Sequence, residues 1–377
     1  MMKICGIIAE YNPFHNGHRY HIEESRKITG CDLVIAVMSG NFVQRGEPAL
    51  IDKWTRAKYA VRNGADVVIE LPYICATQSA SKFAESGVKL LEIAGADWIS
   101  FGSECGNLEN LKDIADTPVN PDHLHVCLDT GMSFPKAYSL LTSEMQPNDI
   151  LAVSYLKALK GTDIEPIVIP RTSNYQSTDM HETASALAIR TALHAHQDVS
   201  EATMMAEELS QRETAYMEQL YPYIRTLLLT TPKERLAEML LFSEGIESHL
   251  QKNAQTAKDW NTFLSSCTSY RYTAGRIRRC CLQAASQITK DEVKRLPIMD
   301  TLRILAFNDT GRTWLHDMRK SGVRIASTFS DIPYPWRQME YKTTQLYASL
   351  FSEEERQRLL QEEIKGARYI RSQEKHI

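Results

Sequence analysis

No uninterrupted apolar run in the 377 residues approaches the roughly 18 residues that a membrane span requires. The opening stretch carries one lysine and a short apolar run that Glu10 interrupts, too little for a signal peptide. There is no excess of positive charge: the formal net charge is -4. A chain-wide nucleic-acid binder is thereby excluded, and any contact with a polyanion must come from a local patch. The eight cysteines (Cys5, Cys31, Cys75, Cys105, Cys127, Cys267, Cys280 and Cys281) are dispersed and form no C-x-x-C pair. That pattern argues against a zinc site or a disulfide framework and for buried, reduced thiols in a cytoplasmic protein. The pairs His123/His125 and His194/His196 have i, i+2 spacing, which suits a strand or loop better than a helical metal site, so no metal site is expected. Internal repeats, low-complexity tracts and Pro/Gly-rich linkers are lacking as well.

What is present is 43% apolar and 24% charged residues, the balance of a globular protein long enough for two domains. The first half alternates. "KICGIIAEY", "CDLVIAVMSG", "ADVVIELP", "ADWISFGSE" and "IEPIVIPR" read as strands. "HRYHIEESRKITG", "DKWTRAKYAVRNG", "SASKFAESGVKLLEIAG" and "TASALAIRTALHAH" read as helices, with Asp52 a candidate N-cap and Gly30 and Gly64 candidate stops. Near-continuous apolar strands separated by helices predict a doubly wound parallel α/β sheet over residues 1–195. Residues 196–377 read as mostly helical, with Ser352 and Glu355 at capping-box spacing.

The first strand runs into "AEYNPFHNGH". Parallel sheets bind ligands beyond the carboxyl ends of their strands, and this motif sits at such an end. Asn12 and Pro13 make a turn, His15 and His18 stand three residues apart, and Gly17 permits close approach of a ligand or backbone. A helix opening there supplies N–H groups and partial positive charge to a phosphate. Two imidazoles beside it can donate to oxygens that gain charge during displacement at phosphorus. His15 and His18 are therefore candidate catalytic residues. The polar, basic loop "QRGEPALIDKWTRAK" adds Lys53 as a third candidate and Arg56 as a phosphate or RNA contact, with Arg45 and Gly46 in a possible lid.

The full set of blocks, "GIIAEYNPFHNGHRYHI", "VIAVMSGNFVQRGEPALIDKWTRAKYAVRNGADVVIELP", "ISFGSE", "NDILAVSYLKAL" and "ASALAIR", resembles the bacterial tRNA(Met) cytidine acetate ligases of the H-x-G-H nucleotidyltransferase superfamily. "RYTAGRIRRCCL" and "LRILAFNDTGR" extend the resemblance into the second half. The resemblance implies a Rossmann-like catalytic domain and a two-step reaction. Acetate and ATP, with Mg²⁺, give acetyladenylate. The acetyl group then passes to N4 of the wobble cytidine in the anticodon loop of elongator tRNA(Met). It also implies an ATP site built from Ile7, Ile8, Ala9, Glu10, Tyr11, Asn12, Pro13, Phe14, His15, Asn16, Gly17, His18, Arg19 and Tyr20, joined by Gly102, Asn148, Arg171, Ser185 and Arg190. Two positions depart from the family pattern: Asp149 stands where a second asparagine is expected, and Leu187 where a hydroxyl residue is expected.

For the RNA side, residues 261–290 contain no acidic residue but hold Arg271, Arg276, Arg278, Arg279 and Lys290, with Tyr270 and Tyr272 between them. A basic patch with aromatics suits the phosphates and bases of a single-stranded loop. "KGARYIR" near the end is a weaker second patch. No protein partner is inferred. Two other readings use the same motifs: a coenzyme-synthesis adenylyltransferase, and a non-catalytic RNA-binding protein on a nucleotidyltransferase fold. The absence of a K-M-S-K-S-like loop argues against an aminoacyl-tRNA synthetase.

Overall fold

The computed structural model describes residues 2–130, 132, 134–141, 145–171 and 184–371. Ten strands are found among them: β1 (Ile4–Ala9), β2 (Leu33–Ser39), β3 (Phe42–Val43), β4 (Glu47–Pro48), β5 (Val67–Leu71), β6 (Trp98–Ser103), β7 (Glu165–Pro170), β8 (Thr301–Phe307), β9 (Arg324–Ala326) and β10 (Arg368–Tyr369). The main sheet runs in the order β10-β8-β5-β2-β1-β6-β7, with β9 on β8, while β3 and β4 form a separate ribbon. Strands β7, β6, β1, β2 and β5 are parallel neighbours. β2 is buried along its whole length, as a strand covered on both faces must be.

One face packs on the helices Ala80–Ile93, Pro147–Ala158 and Asp309–Lys320 through Phe83, Leu91, Leu156 and Trp314. The other packs on Asn16–Thr29 and Lys53–Arg62 through Ile22, Trp54, Ala57 and Val61. The N-cap and the stop expected for these two helices form: Asp52 accepts from Thr55 N at 2.9 Å, and Gly30 closes the first helix at a φ of 59°.

The boundary at residue 195 is not a boundary of the sheet. β8 pairs antiparallel with β5, and β10 pairs with β8, so the last quarter of the chain re-enters the sheet. Sequence reading passed over β8 because Arg303 interrupts "TLRILAF". In the fold Arg303 is buried against two carboxylates, its Nη1 at 2.6 Å from Glu70 and its Nη2 at 2.8 Å from Glu363. Between residues 217 and 286 the chain is mostly helical, as expected, and its Leu220, Ile224, Leu250, Phe263 and Ile277 share one core with Phe42 and Tyr73 from the first half and Trp336 and Tyr347 from the last.

Candidate active site

β1 ends at Ala9 and the chain then turns, with Tyr11 at a φ of 49° and a cis Asn12–Pro13 peptide. Other elements hold this exit. Asn12 Oδ1 accepts from Leu50 N at 2.8 Å, Arg56 Nη1 donates to Glu10 O at 2.6 Å, and Thr203 Oγ1 donates to Phe14 O at 2.6 Å. His15 then caps the helix Asn16–Thr29: its Nδ1 accepts from Gly17 N at 3.1 Å, and His18 Nδ1 accepts from His15 N at 3.2 Å. A ring nitrogen that accepts an N–H carries no proton, so each neutral imidazole keeps its proton on Nε2.

The rings are neutral for a physical reason. Burial, reinforced by Arg171 and Arg190, pushes His15 down to about 3. Burial, with His15 and Arg171 nearby, holds His18 well below the usual histidine range. His21, one helical step further, is pushed down to about 4 by burial and Arg171, and its Nε2 shares a 2.9 Å hydrogen bond with Ser100 Oγ. Gly17 serves His15 rather than a ligand: a Cβ there would lie 2.9 Å from His15 Cε1.

These groups face an open cleft at the carboxyl ends of β1, β6 and β7. Three arginines line it. Arg171 follows β7 directly, and Arg190 is tied by Nη1 to Asn12 O at 2.9 Å. Arg45 reaches in from the β3–β4 turn and lies 3.6 Å from Glu10. Ser185, N-cap of the helix Ala186–His194, accepts from Ala188 N at 3.1 Å and brings a second helix N-terminus to the cleft. Among the described lining residues Glu10 is the one carboxylate. Cations, helix N-termini and neutral N–H donors against a single acid make a polyanion site. Its donors are placed to stabilise charge that develops during displacement at phosphorus.

Comparison with known proteins agrees with this geometry. The HIGH Nucleotidyl Transferase family model matches residues 2–363. The tRNA(Met) cytidine acetate ligase of Geobacillus sp. is 35% identical over 96% of this chain and 98% of its own. That of Limosilactobacillus reuteri is 39% identical over 85% and 88%. The chain belongs to the tRNA(Met) cytidine acetate ligase family. Among solved structures, apo Thermotoga maritima TmcAL superposes with a TM-score of 0.89 at 30% identity, covering 98% of this chain and all of that one. The same protein bound with alpha-thio ATP gives 0.87 at the same identity and coverage.

Of the family's expected ATP-site residues, Ile7, Ile8, Ala9, Glu10, Tyr11, Asn12, His15, His18, Gly102, Asn148, Arg171, Ser185 and Arg190 line the cleft. The others do not. Phe14 is buried in the core beneath, Asn16 Nδ2 donates to Glu201 O at 2.8 Å, Arg19 pairs with Glu23 at 3.5 Å and Tyr20 is exposed. Helical rotation carries positions 19 and 20 away from the face of His18 and His21. The departure at Asp149 has a local account: its buried Oδ1 accepts from Ser103 Oγ at 2.5 Å and Glu104 N at 3.0 Å. Asn148 Nδ2 in turn donates to Glu104 at 2.5 Å. Sequence reading missed His21, Gln44, Phe83, Phe101, Leu151 and Tyr155 in the cleft wall. Only His21 had a signal, its i+3 spacing from His18.

Lys53 is a correction. It does not line the cleft. Its Nζ is sealed between Glu70 at 2.6 Å and Glu363 at 2.9 Å, with side chain and partners each no more than 1% exposed, so no phosphate reaches it. Arg56 is likewise fully buried, and it donates to the carbonyls of Glu10, Ser39, Gly40 and Ile51. Both side chains are buried and bonded within the protein, and neither lines the cleft.

The residues expected to meet RNA lie on the helix Ala274–Ser286 and the loop before it, and acids from elsewhere in the chain pair with some of them. Arg276 pairs with Glu244 at 2.8 Å and Arg278 with Glu47 at 3.3 Å, while Arg279 Nη1 donates to Gln44 O at 3.2 Å. Arg271 and Tyr270 are exposed; Tyr272 is buried, and Lys290 Nζ donates to Ala237 O and Phe242 O. The β3–β4 turn packs directly on this helix. Gly46 has a φ of 82°, and a Cβ there would lie 2.6 Å from Arg279 N. The same turn thus touches the basic helix on one side and carries Gln44 and Arg45 into the cleft on the other.

All eight cysteines are free, and Cys105 is exposed. His123 is exposed on the helix Pro121–Asp129, and the side chain of His125 lies outside the described residues. Among the described residues no group of three metal-ligating side chains converges, and no helix is long and apolar enough to cross a membrane.

Proposed function

We propose that this chain is an ATP-dependent ligase. It activates acetate as acetyladenylate in the cleft and transfers the acetyl group to N4 of the wobble cytidine in the anticodon loop of elongator tRNA(Met). The observation that carries the first step is the pair of neutral Nε2–H imidazoles among three arginines, in a family named for acetate ligation to tRNA(Met) cytidine.

Acetate is an anion at neutral pH and needs no base. Its oxygen attacks the α-phosphorus, the bond to the β-phosphate oxygen breaks, and pyrophosphate leaves with the electron pair. His15 and His18 donate to the oxygens gaining charge, while Arg171, Arg190 and Arg45 hold the triphosphate. Because burial keeps the imidazoles neutral, their donor state does not change across physiological pH. Mg²⁺ would come bound to triphosphate oxygens, since the described residues offer no ligand cluster, and no step is assigned to it. Arg271, Arg276, Arg278 and Arg279 would meet the anticodon stem and loop, which the adjoining turn leads into the cleft. A tRNA substrate sets the reaction in the cytoplasm.

The test is acetate-dependent ATP–pyrophosphate exchange by the purified protein, followed by mass spectrometry of tRNA(Met) for N4-acetylcytidine. Both signals are expected. Exchange that ignores acetate, and appears only with a phosphorylated metabolite as AMP acceptor, would replace this reading with a coenzyme adenylyltransferase.

A further inference from the structure

Acetyl transfer needs a group to take a proton from cytidine N4, and most of the cleft is unfit for it. His15 and His18 already use Nδ1 as an acceptor and carry their proton on Nε2. His21 Nε2 is engaged with Ser100. Tyr11 and Tyr155 are buried phenols held protonated by desolvation. Glu104 lies outside the cleft lining, with one oxygen accepting from Asn148 Nδ2 and the other from Asp149 N. Glu10 remains. It lines the cleft and is partly open to solvent. Its Oε1 accepts from Gln44 N at 2.8 Å, and its Oε2 stands 3.6 Å from Arg45 Nε, beyond hydrogen-bonding distance.

We propose that the Glu10 carboxylate binds the N4 amino group of the acceptor cytidine and takes its proton as the amide forms. This rests on the acetyl-transfer reading above. Carboxylates are the side chains that match cytosine's exocyclic N4–H₂ donor. The position fits as well. From the basic helix, Arg279 contacts Gln44 O, and Gln44 N contacts Glu10. A nucleotide entering past that helix and turn arrives at this carboxylate. In the step, the N4 lone pair attacks the acetyl carbonyl carbon and a C–N bond forms. The C–O bond to AMP breaks, AMP departs with the electron pair as its phosphate anion, and the N4 proton passes to Glu10 Oε2 and then to water. An amine that has begun to bond to carbonyl carbon is acidic, so a carboxylate held at that position can accept its proton.

The test is Glu10→Gln in the full-length protein with tRNA(Met), acetate and ATP. The amide still accepts from Gln44 N, so the turn keeps its anchor. Expected is a loss of about 100-fold or more in tRNA acetylation that clearly exceeds any loss in acetate-dependent exchange, with acetyladenylate accumulating in the presence of tRNA. Glu10→Asp, which keeps the carboxylate on a shorter arm, recovers part of the transfer rate. Equal losses in exchange and transfer, or no loss in transfer, would overturn the proposal by assigning Glu10 to the turn alone. A wild-type protein without acetate-dependent exchange would overturn the functional reading first, and this proposal with it.

Discussion

Two clusters of cations lie near the ligand-binding end of the sheet, and they differ in their partners. Among the described residues of the cleft wall, Arg45, Arg171 and Arg190 stand with one carboxylate, Glu10. In the second cluster Lys53 and Arg303 face Glu70 and Glu363, two charges against two, with every side chain nearly or fully buried. The first cluster has positive potential left over for a ligand. The second has none, and its members come from both halves of the chain, residues 53 and 70 from one and 303 and 363 from the other. It binds the returning strand β8 to the nucleotide-binding sheet.

The comparison predicts opposite failures. Lys53→Met leaves Glu70 and Glu363 buried with one cation between them. Removing one partner of a buried pair costs about 3–5 kcal/mol. Expected in denaturant titration is a loss of that size, while the protein that remains folded keeps its pyrophosphate exchange. Loss of exchange at unchanged stability would put Lys53 back among the phosphate ligands.

His18→Ala inverts this pattern. It removes one Nε2–H donor from the cleft and one acceptor from the helix cap. A preorganised donor to a developing oxyanion contributes about 10²–10³-fold in rate, roughly 2.7–4 kcal/mol, whereas a lost cap costs about 0.5–2 kcal/mol. Exchange should therefore fall by roughly two to three orders of magnitude in a protein that melts only slightly early. An active variant would remove His18 from the mechanism.

The same contrast explains what could be read from the sequence. The parallel strands were legible because a strand buried on both faces is a plain apolar run, and the H-x-G-H motif because its histidines act through local geometry, within three residues. Partners distant in sequence were not legible. Lys53 and Arg56 look like Arg45 until Glu70, Glu363 and four backbone carbonyls are placed around them. β8 was hidden by Arg303 for the same reason. The capping box at Ser352 fails in the same way: Glu213 accepts from Ser352 N at 2.9 Å, and Glu355 turns to Arg358 at 2.6 Å, which also holds Asp52. Sequence shows charge and spacing. Whether a charge is already neutralised depends on residues up to 310 positions away, as in the Lys53–Glu363 contact.

The pH dependence of stability sharpens the comparison most. Glu340 is a third carboxyl beside the balanced cluster, and its Oε1 accepts from Tyr73 N at 2.9 Å. Burial, then the charge of Glu70, pushes it up to about 8 from the ordinary 4.5. Two cations already neutralise two carboxylates, so a third negative charge has no partner and the folded protein keeps the proton. The sign follows from proton counts. Below about pH 4.5 both states hold this proton. Above it the unfolded chain releases the proton while the folded chain retains it, so stability falls as pH rises, by about 1.4 kcal/mol per unit, until the folded carboxyl also ionises near 8. Glu340→Gln keeps an acceptor for Tyr73 and has no proton to lose. Its melting temperature should therefore gain on wild type steadily from pH 5 to pH 8. A difference independent of pH would mean that Glu340 is charged in the fold and that the sealed cluster is not balanced by Glu70 and Glu363 alone.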